Sequence, residues 1–99
     1  MQPNVYRITY KNKTWELRSV RYYSAEDVTE AVLDFIYCFK KGRVGEKRLT
    51  IKKIHVWNRF SGKWDNMTRE GVEFIQVLDP DEMITATAHA DNTISMRRL

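Results

Sequence analysis

The sequence has little of what several large classes of protein require. It holds one cysteine, Cys38, among 99 residues, which excludes an intramolecular disulfide and a metal site built from several thiolates. Its apolar runs stay well short of the roughly 18 residues that a transmembrane helix needs. The first four residues lack the basic and apolar regions of a signal peptide. These absences predict a cytoplasmic protein without a membrane segment.

The residue patterns that carry catalysis are also missing. Four glycines are too scattered to form a loop that cradles phosphate groups before a helix. His55 and His89 lie in different predicted strands, and no nucleophile motif accompanies them. The acidic group Asp79, Asp81 and Glu82 lacks the glycine and the downstream glutamate of a calcium loop. We therefore expect no enzymatic activity, no cofactor and no metal.

What the chain does contain is the composition of a packed globular protein. Hydrophobic residues make up 42% and charged residues 30%, which is typical of chains that fold around a core. The length suffices for one core but not for two. We therefore predict one domain over residues 1–99.

The first part of the sequence predicts a β-hairpin. Residues 5–10 alternate, with Tyr6 and Ile8 on one side and polar residues on the other, the period of a half-buried strand. Residues 14–23 read as the partner strand, and a shift in their apolar phase predicts a bulge near Ser19.

A helix over residues 25–41 is the clearest element. Ser24 can cap its N-terminus, and Gly42 can follow its last turn. Its apolar residues recur at intervals of three and four: Ala25, Val28, Ala31, Val32, Phe35, Ile36 and Phe39.

The second half of the chain reads as strands. We predict them over residues 49–58, 63–67, 72–78, 83–90 and 93–98. Ile51 and Ile54 differ in phase across Lys52 and Lys53, which predicts a bulge there. The fold class is therefore α+β, an antiparallel sheet with one long amphipathic helix packed on one face, in a ββαβββ-like order. The same order allows a β-grasp-like arrangement.

The distribution of charge is the feature that stands out. Residues 40–63 contain nine basic residues and one acid, Glu46, while the net charge of the whole chain is +4. A positive field of this kind attracts phosphates and releases their counterions. The predicted nucleic-acid-binding residues are Lys40, Lys41, Arg43, Lys47, Arg48, Lys52, Lys53, Arg59, Phe60 and Lys63.

Aromatic residues accompany these charges. Phe60 lies in a predicted turn, where a ring is hard to bury, and is the best candidate for stacking on a base. Trp57 and Trp64 could do the same. We favour the alternative that they form a cross-strand pair in the core, because aromatic residues in strands more often pack than bind ligands.

The sequence therefore predicts a small non-enzymatic protein that binds a macromolecule through an electropositive face, with nucleic acid as the first candidate. The alternative is a protein-binding adaptor, an inhibitor or a virion component of a phage or other mobile element. An acidic stretch over residues 65–82 supports that alternative, since poles of opposite sign orient protein partners.

Overall fold

The computed structural model describes residues 3–12, 18–78 and 83–99. Within these ranges the chain forms six strands and two helices. In chain order they are β1 (Asn4–Asn12), β2 (Arg18–Ala25), α1 (Val28–Lys40), β3 (Arg48–Asn58), β4 (Lys63–Asn66), α2 (Thr68–Gln76), β5 (Ile84–Ala88) and β6 (Ile94–Arg98).

The strands form one antiparallel sheet in the order β2-β1-β3-β6-β5. The short strand β4 pairs with the C-terminal part of β3, beyond the part that pairs with β6. Both helices contribute to one core on the same face of this sheet. The α+β class and the antiparallel sheet are thus confirmed, whereas the single long helix and the β-grasp-like arrangement are not.

The core lies between the two helices and the covered face of the sheet. Phe35 of α1 is at its centre, with the Tyr10 ring 5.4 Å away in an edge-to-face arrangement. Such aromatic pairs add about 0.5–1.5 kcal/mol to the effect of burial alone. The largest fully buried side chains are Phe35, Phe39, Ile8, Ile51, Ile54, Ile94, Met96, Val32 and Val44.

The predicted bulge in β3 is confirmed. Thr9 pairs with Lys53 while Tyr10 pairs with Ile51, so Lys52 is the extra residue. This insertion changes the phase of the strand, which is why Ile51 and Ile54 both point into the core. The bulge predicted near Ser19 is not found between Arg18 and Ala25, which pair with β1 in unbroken register. The start of that predicted strand, residues 14–17, lies outside the described residues.

Helix α1 is shorter than predicted at its N-terminus. Residues up to Ala25 remain paired in β2, so the cap is Asp27 and not Ser24. The Asp27 carboxylate accepts the Glu30 backbone N–H at 2.9 Å, the usual role of an N-cap side chain.

The C-terminal end of α1 follows the prediction. Gly42 has a φ of +71°, which a residue with a side chain rarely adopts. Its N–H donates to Phe39 O, and the Arg43 N–H donates to Cys38 O. These two bonds form a Schellman cap.

The strand predicted over residues 72–78 is wrong, since most of that segment belongs to helix α2. The buried face of α2 consists of Thr68, Gly71, Val72 and Ile75. This is the spacing of a helix, but a threonine and a glycine occupy half of the face, so hydrophobicity does not reveal it. A Cβ at Gly71 would collide with the end of the Ile54 side chain, so any larger residue would force that side chain to shift.

The last hairpin agrees with the prediction. Strands β5 and β6 pair with each other across a turn at residues 89–93. Asn92 adopts a φ of +62° there, and the Asp91 carboxylate accepts the backbone N–H and the hydroxyl of Thr93. These hydrogen bonds lower the pKa of Asp91. The break predicted at residues 79–82 lies outside the described residues.

In the described ranges, no helix has the length and apolar character needed to cross a membrane.

Candidate nucleic-acid interface

The face of the sheet opposite the helices is open. Because side chains alternate along a strand, residues adjacent to buried core positions point to this face, and no described element covers it. Register places them in rows that run across the sheet. One row is Tyr22, Arg7, His55 and Asn66, and a second is Arg18, Lys11, Thr50, Ser95 and Thr87.

The sheet and the helices carry opposite charges. Asp65 is the one acid in the six described strands. The basic residues of those strands are Arg7, Lys11, Arg18, Arg21, Arg48, Lys52, Lys53, Lys63, Arg97 and Arg98. Acids occur instead on the helices, where Glu30, Asp34, Glu70 and Glu73 outnumber the two cations, Lys40 and Arg69. The molecule therefore has an acidic helical layer and a basic sheet.

Three aromatic side chains lie together on the open face. The rings of Trp57 and Trp64 contact edge to face with centroids 5.3 Å apart, and Tyr22 lies 6.1 Å from Trp64. The Arg7 guanidinium stacks on the Trp64 ring at 4.3 Å, a cation–π contact that holds the ring in place. Tyr22 is 60% exposed and Trp57 39% exposed. We call Tyr22, Trp57 and Trp64 the aromatic patch.

His55 lies between cations on the same face. It pairs in register with Arg7, and its Nδ1 is buried with no hydrogen-bond partner in the described part of the chain. Burial, followed by the positive charges of Arg7 and Lys53, lowers the pKa of His55. Both effects favour the neutral form of the ring.

A concavity forms at the other end of the open face, on the far side of the β3 bulge. Its volume is about 520 Å³, within the roughly 300–1,000 Å³ of small-ligand sites. A bulge bends its strand and increases the local twist, which accounts for the curvature here. Its lining includes four cations, Lys11, Arg48, Lys52 and Arg97, and four hydroxyls, Thr50, Thr85, Thr87 and Ser95.

Two of the four hydroxyl groups, those of Thr50 and Ser95, are hydrogen-bonded to each other. The Ser95 Oγ lies 2.7 Å from His89 Nε2 and 3.3 Å from Thr50 Oγ1. A hydroxyl both donates and accepts, so this chain can present a donor to an anion in the concavity. No acidic residue of the described chain lines it.

The predicted binding residues do not form one surface. Arg48 and Lys53 point to the open face, and Lys52 is the bulge residue. The others lie elsewhere. Lys40 is the last residue of α1, and Lys41, Arg43 and Lys47 follow it. Arg59 and Phe60 form the β3–β4 turn, and Lys63 points away from Trp64. Phe60 is 97% exposed.

The predicted pairing of Trp57 with Trp64 is confirmed, but its placement in the core is wrong. The pair lies on the open face because Trp57 shares the phase of His55, opposite to the buried Ile54.

Sequence reasoning missed several residues of the open face. The residues it overlooked are Arg7, Lys11, Arg18, Tyr22 and Arg97, which come from β1, β2 and β6. The alternation of β1 does place Arg7 opposite the apolar Tyr6 and Ile8. That signal identifies an exposed residue, but not its neighbours across the sheet.

The described residues include no group of three or more His, Cys, Asp or Glu that could hold a metal ion. His89 is exposed, and its Nε2 lies within hydrogen-bonding distance of the Ser95 hydroxyl. No protein-family model, curated protein or solved structure matches this chain.

Proposed function

We propose that this protein binds single-stranded nucleic acid on the open face of its sheet and has no enzymatic activity. The observation that carries the proposal is the aromatic patch. Two large rings, Tyr22 and Trp57, stay exposed on a basic surface, and each contacts the ring of Trp64. Burying such rings in the core would stabilise the fold by about 1.5–3 kcal/mol each. Exposed rings that cluster on one face, as Tyr22 and Trp57 do around Trp64, favour a role in binding.

The chemistry of the patch favours unpaired bases. A base stacks on an aromatic ring only when its own face is free, and duplexes keep their base faces inside the helix. The open face also offers Arg7, already stacked on Trp64, as a cation next to the rings. Sheets with exposed rings and flanking cations are a recurrent platform for single-stranded RNA.

The charge distribution supports the same partner. The phosphates of a bound strand would face Arg48, Lys53 and other strand cations, whereas the helical acids lie on the opposite layer. Each neutralised phosphate of a single strand contributes roughly 0.7 to the slope of log K against log salt concentration. Binding should therefore weaken steeply as salt is raised.

A protein partner is the second candidate, and the free edge of β2 favours it. In the described part of the chain, β2 pairs only with β1. Such an edge can accept a strand from another protein. Recovery of a nuclease-resistant protein complex from cells would support this candidate.

The test is titration of labelled oligouridine, oligothymidine and a duplex, followed by fluorescence anisotropy. Tyr22→Leu and Trp57→Leu should each weaken single-strand binding by about 1–3 kcal/mol, roughly 5- to 150-fold. The matched control is Tyr37→Leu, because Tyr37 is 53% exposed on helix α1. It should bind like the wild type.

Two results would contradict the proposal. One is the absence of single-strand binding even at low salt. The other is an equal loss of affinity in Tyr37→Leu and Trp57→Leu.

A further inference from the structure

We infer that the concavity over β1, β3, β6 and β5 is a phosphate-binding subsite, separate from the aromatic patch, that takes backbone phosphates of the nucleic-acid strand bound at the patch. The inference rests on the proposed function. Its starting point is the lining of the concavity, which combines guanidinium, ammonium and hydroxyl donors without a carboxylate in the described chain. This donor set is that of an anion site, since arginine binds phosphate oxygens in a bidentate manner.

Independent support comes from the pairing of like charges. Arg48 lies directly opposite Arg97 on neighbouring strands, and Lys11 lies directly opposite Arg18. Like charges in such positions destabilise a sheet, whereas opposite charges stabilise it. The described residues provide no salt bridge to Arg48 or Arg97. A bound phosphate between the paired cations would remove this repulsion.

One acid lies near the rim of the concavity. The Glu46 backbone N–H donates to Asn12 Oδ1 at 3.1 Å, and Asn12 is part of the lining. The Glu46 residue itself is not part of the lining. The interior of the concavity therefore stays positive.

The distance between the two subsites sets the length of strand required. Trp57 and Thr50 both lie on β3, and their separation is roughly 20 Å at about 3.3 Å per residue. At a stacked spacing of about 3.4 Å per nucleotide this corresponds to about six nucleotides. A trinucleotide can then occupy one subsite at a time, whereas a strand of eight or more nucleotides reaches both.

The first arm of the test uses inorganic pyrophosphate, which has no base to stack. In a titration followed by NMR, the backbone amide signals of Thr50, Ser95 and Arg97 should shift. The amide signal of Tyr22 should stay unchanged. Arg48→Gln/Arg97→Gln should weaken pyrophosphate binding about tenfold or more, because charge-assisted hydrogen bonds are lost. Lys41→Gln/Lys63→Gln is the matched control, since it removes two charges outside the concavity, and it should bind pyrophosphate like the wild type.

The second arm uses oligouridines of three and twelve nucleotides. The wild type should bind the twelve-nucleotide strand more tightly than the three-nucleotide strand. The Arg48→Gln/Arg97→Gln variant should lack this gain in affinity. That variant should also reduce the salt slope by about 1.4, at roughly 0.7 per phosphate contact. In buffer without phosphate it should unfold at a higher temperature than the wild type, because the repulsion between the arginines is gone.

The outcomes separate the two proposals. The phosphate subsite is overturned if the Arg48→Gln/Arg97→Gln variant binds pyrophosphate as tightly as the control variant does, and oligouridine as tightly as well. That result would leave the proposed function intact. If pyrophosphate binds in the concavity but no oligouridine binds to any variant, the anion site stands and the proposed function is wrong. Pyrophosphate shifts spread evenly over both layers would overturn the subsite as well.

Discussion

Replacement of Thr68 by valine should destabilise the fold more than its conservative size suggests. On the side of β3 away from β1, strand β6 pairs only up to Ile51 and strand β4 only from His55. Thr68, the first residue of helix α2, lies at the gap between them. The buried Thr68 hydroxyl fills this gap. It accepts the Ile54 backbone N–H at 2.9 Å and lies 3.4 Å from the Ile54 carbonyl oxygen.

The size of the expected loss in stability depends on the backbone groups that valine leaves without a hydrogen-bond partner. Thr68→Val keeps the shape but leaves the buried Ile54 N–H without a partner, which costs about 1–3 kcal/mol. The Ile54 carbonyl still accepts the Met67 N–H at 2.7 Å, so we expect a loss near 2 kcal/mol. In a chain of this size that corresponds to a fall in Tm of about 8–16 °C.

The control is Thr68→Ser, which keeps the hydroxyl and removes one methyl group. It should cost about 0.8 kcal/mol. Thermal and urea unfolding followed by circular dichroism would measure all three proteins. The reasoning is refuted if Thr68→Ser is as destabilising as Thr68→Val, or if Thr68→Val unfolds like the wild type.

Two further predictions concern the cap of α1 and the open face. Asp27→Ala should lower the free energy of unfolding by about 1 kcal/mol, whereas Ser24→Ala should have little effect. If urea denaturation shows Ser24→Ala to be the more destabilised variant, the helix begins earlier than Asp27. Because the pKa of His55 is lowered in the folded protein, the unfolded chain protonates this ring at a higher pH than the folded chain does. The free energy of unfolding should therefore fall as pH drops below about 6.5, the ordinary pKa of histidine. His55→Gln should reduce that loss, and bound oligonucleotide should raise the His55 pKa in an NMR titration, since phosphates offset the charges of Arg7 and Lys53.

The elements that the sequence predicted correctly are those encoded by local patterns. Alternation identified β1, three-and-four spacing with Gly42 identified α1, and a change of phase between Ile51 and Ile54 identified the bulge. Each of these signals depends on residues close together in the chain. Local structure follows from them without knowledge of the tertiary fold.

Helix α2 was missed because tertiary contacts define it. Thr68 is buried for its hydrogen bonds with Ile54, and Gly71 for the close approach of that side chain. The surface pair Arg69 and Glu73, with Nε and Oε1 3.1 Å apart, is at helical spacing and is the local signal that could have revealed the helix.

The candidate site was only partly predictable for a related reason. Charged residues that are consecutive in sequence need not lie on one surface of the folded protein. Here α1 ends and β3 begins within the basic run of residues 40–63, so its cations belong to different elements. The open face instead gathers Arg18, Lys11 and Arg97 from segments far apart in sequence. Their proximity depends on strand order, which local patterns do not specify.

The most direct test of the central claim is a map of the surface that contacts a single strand. Protein labelled with ¹⁵N would be titrated with unlabelled twelve-nucleotide oligouridine at low salt, and the indole N–H signals of Trp57 and Trp64 would be followed together with the backbone amides. We predict shifts at both indoles and across β1, β2, β3 and β6, with α1 and α2 unchanged. Shifts concentrated on the helices, or none at saturating oligouridine, would contradict binding on the open face of the sheet.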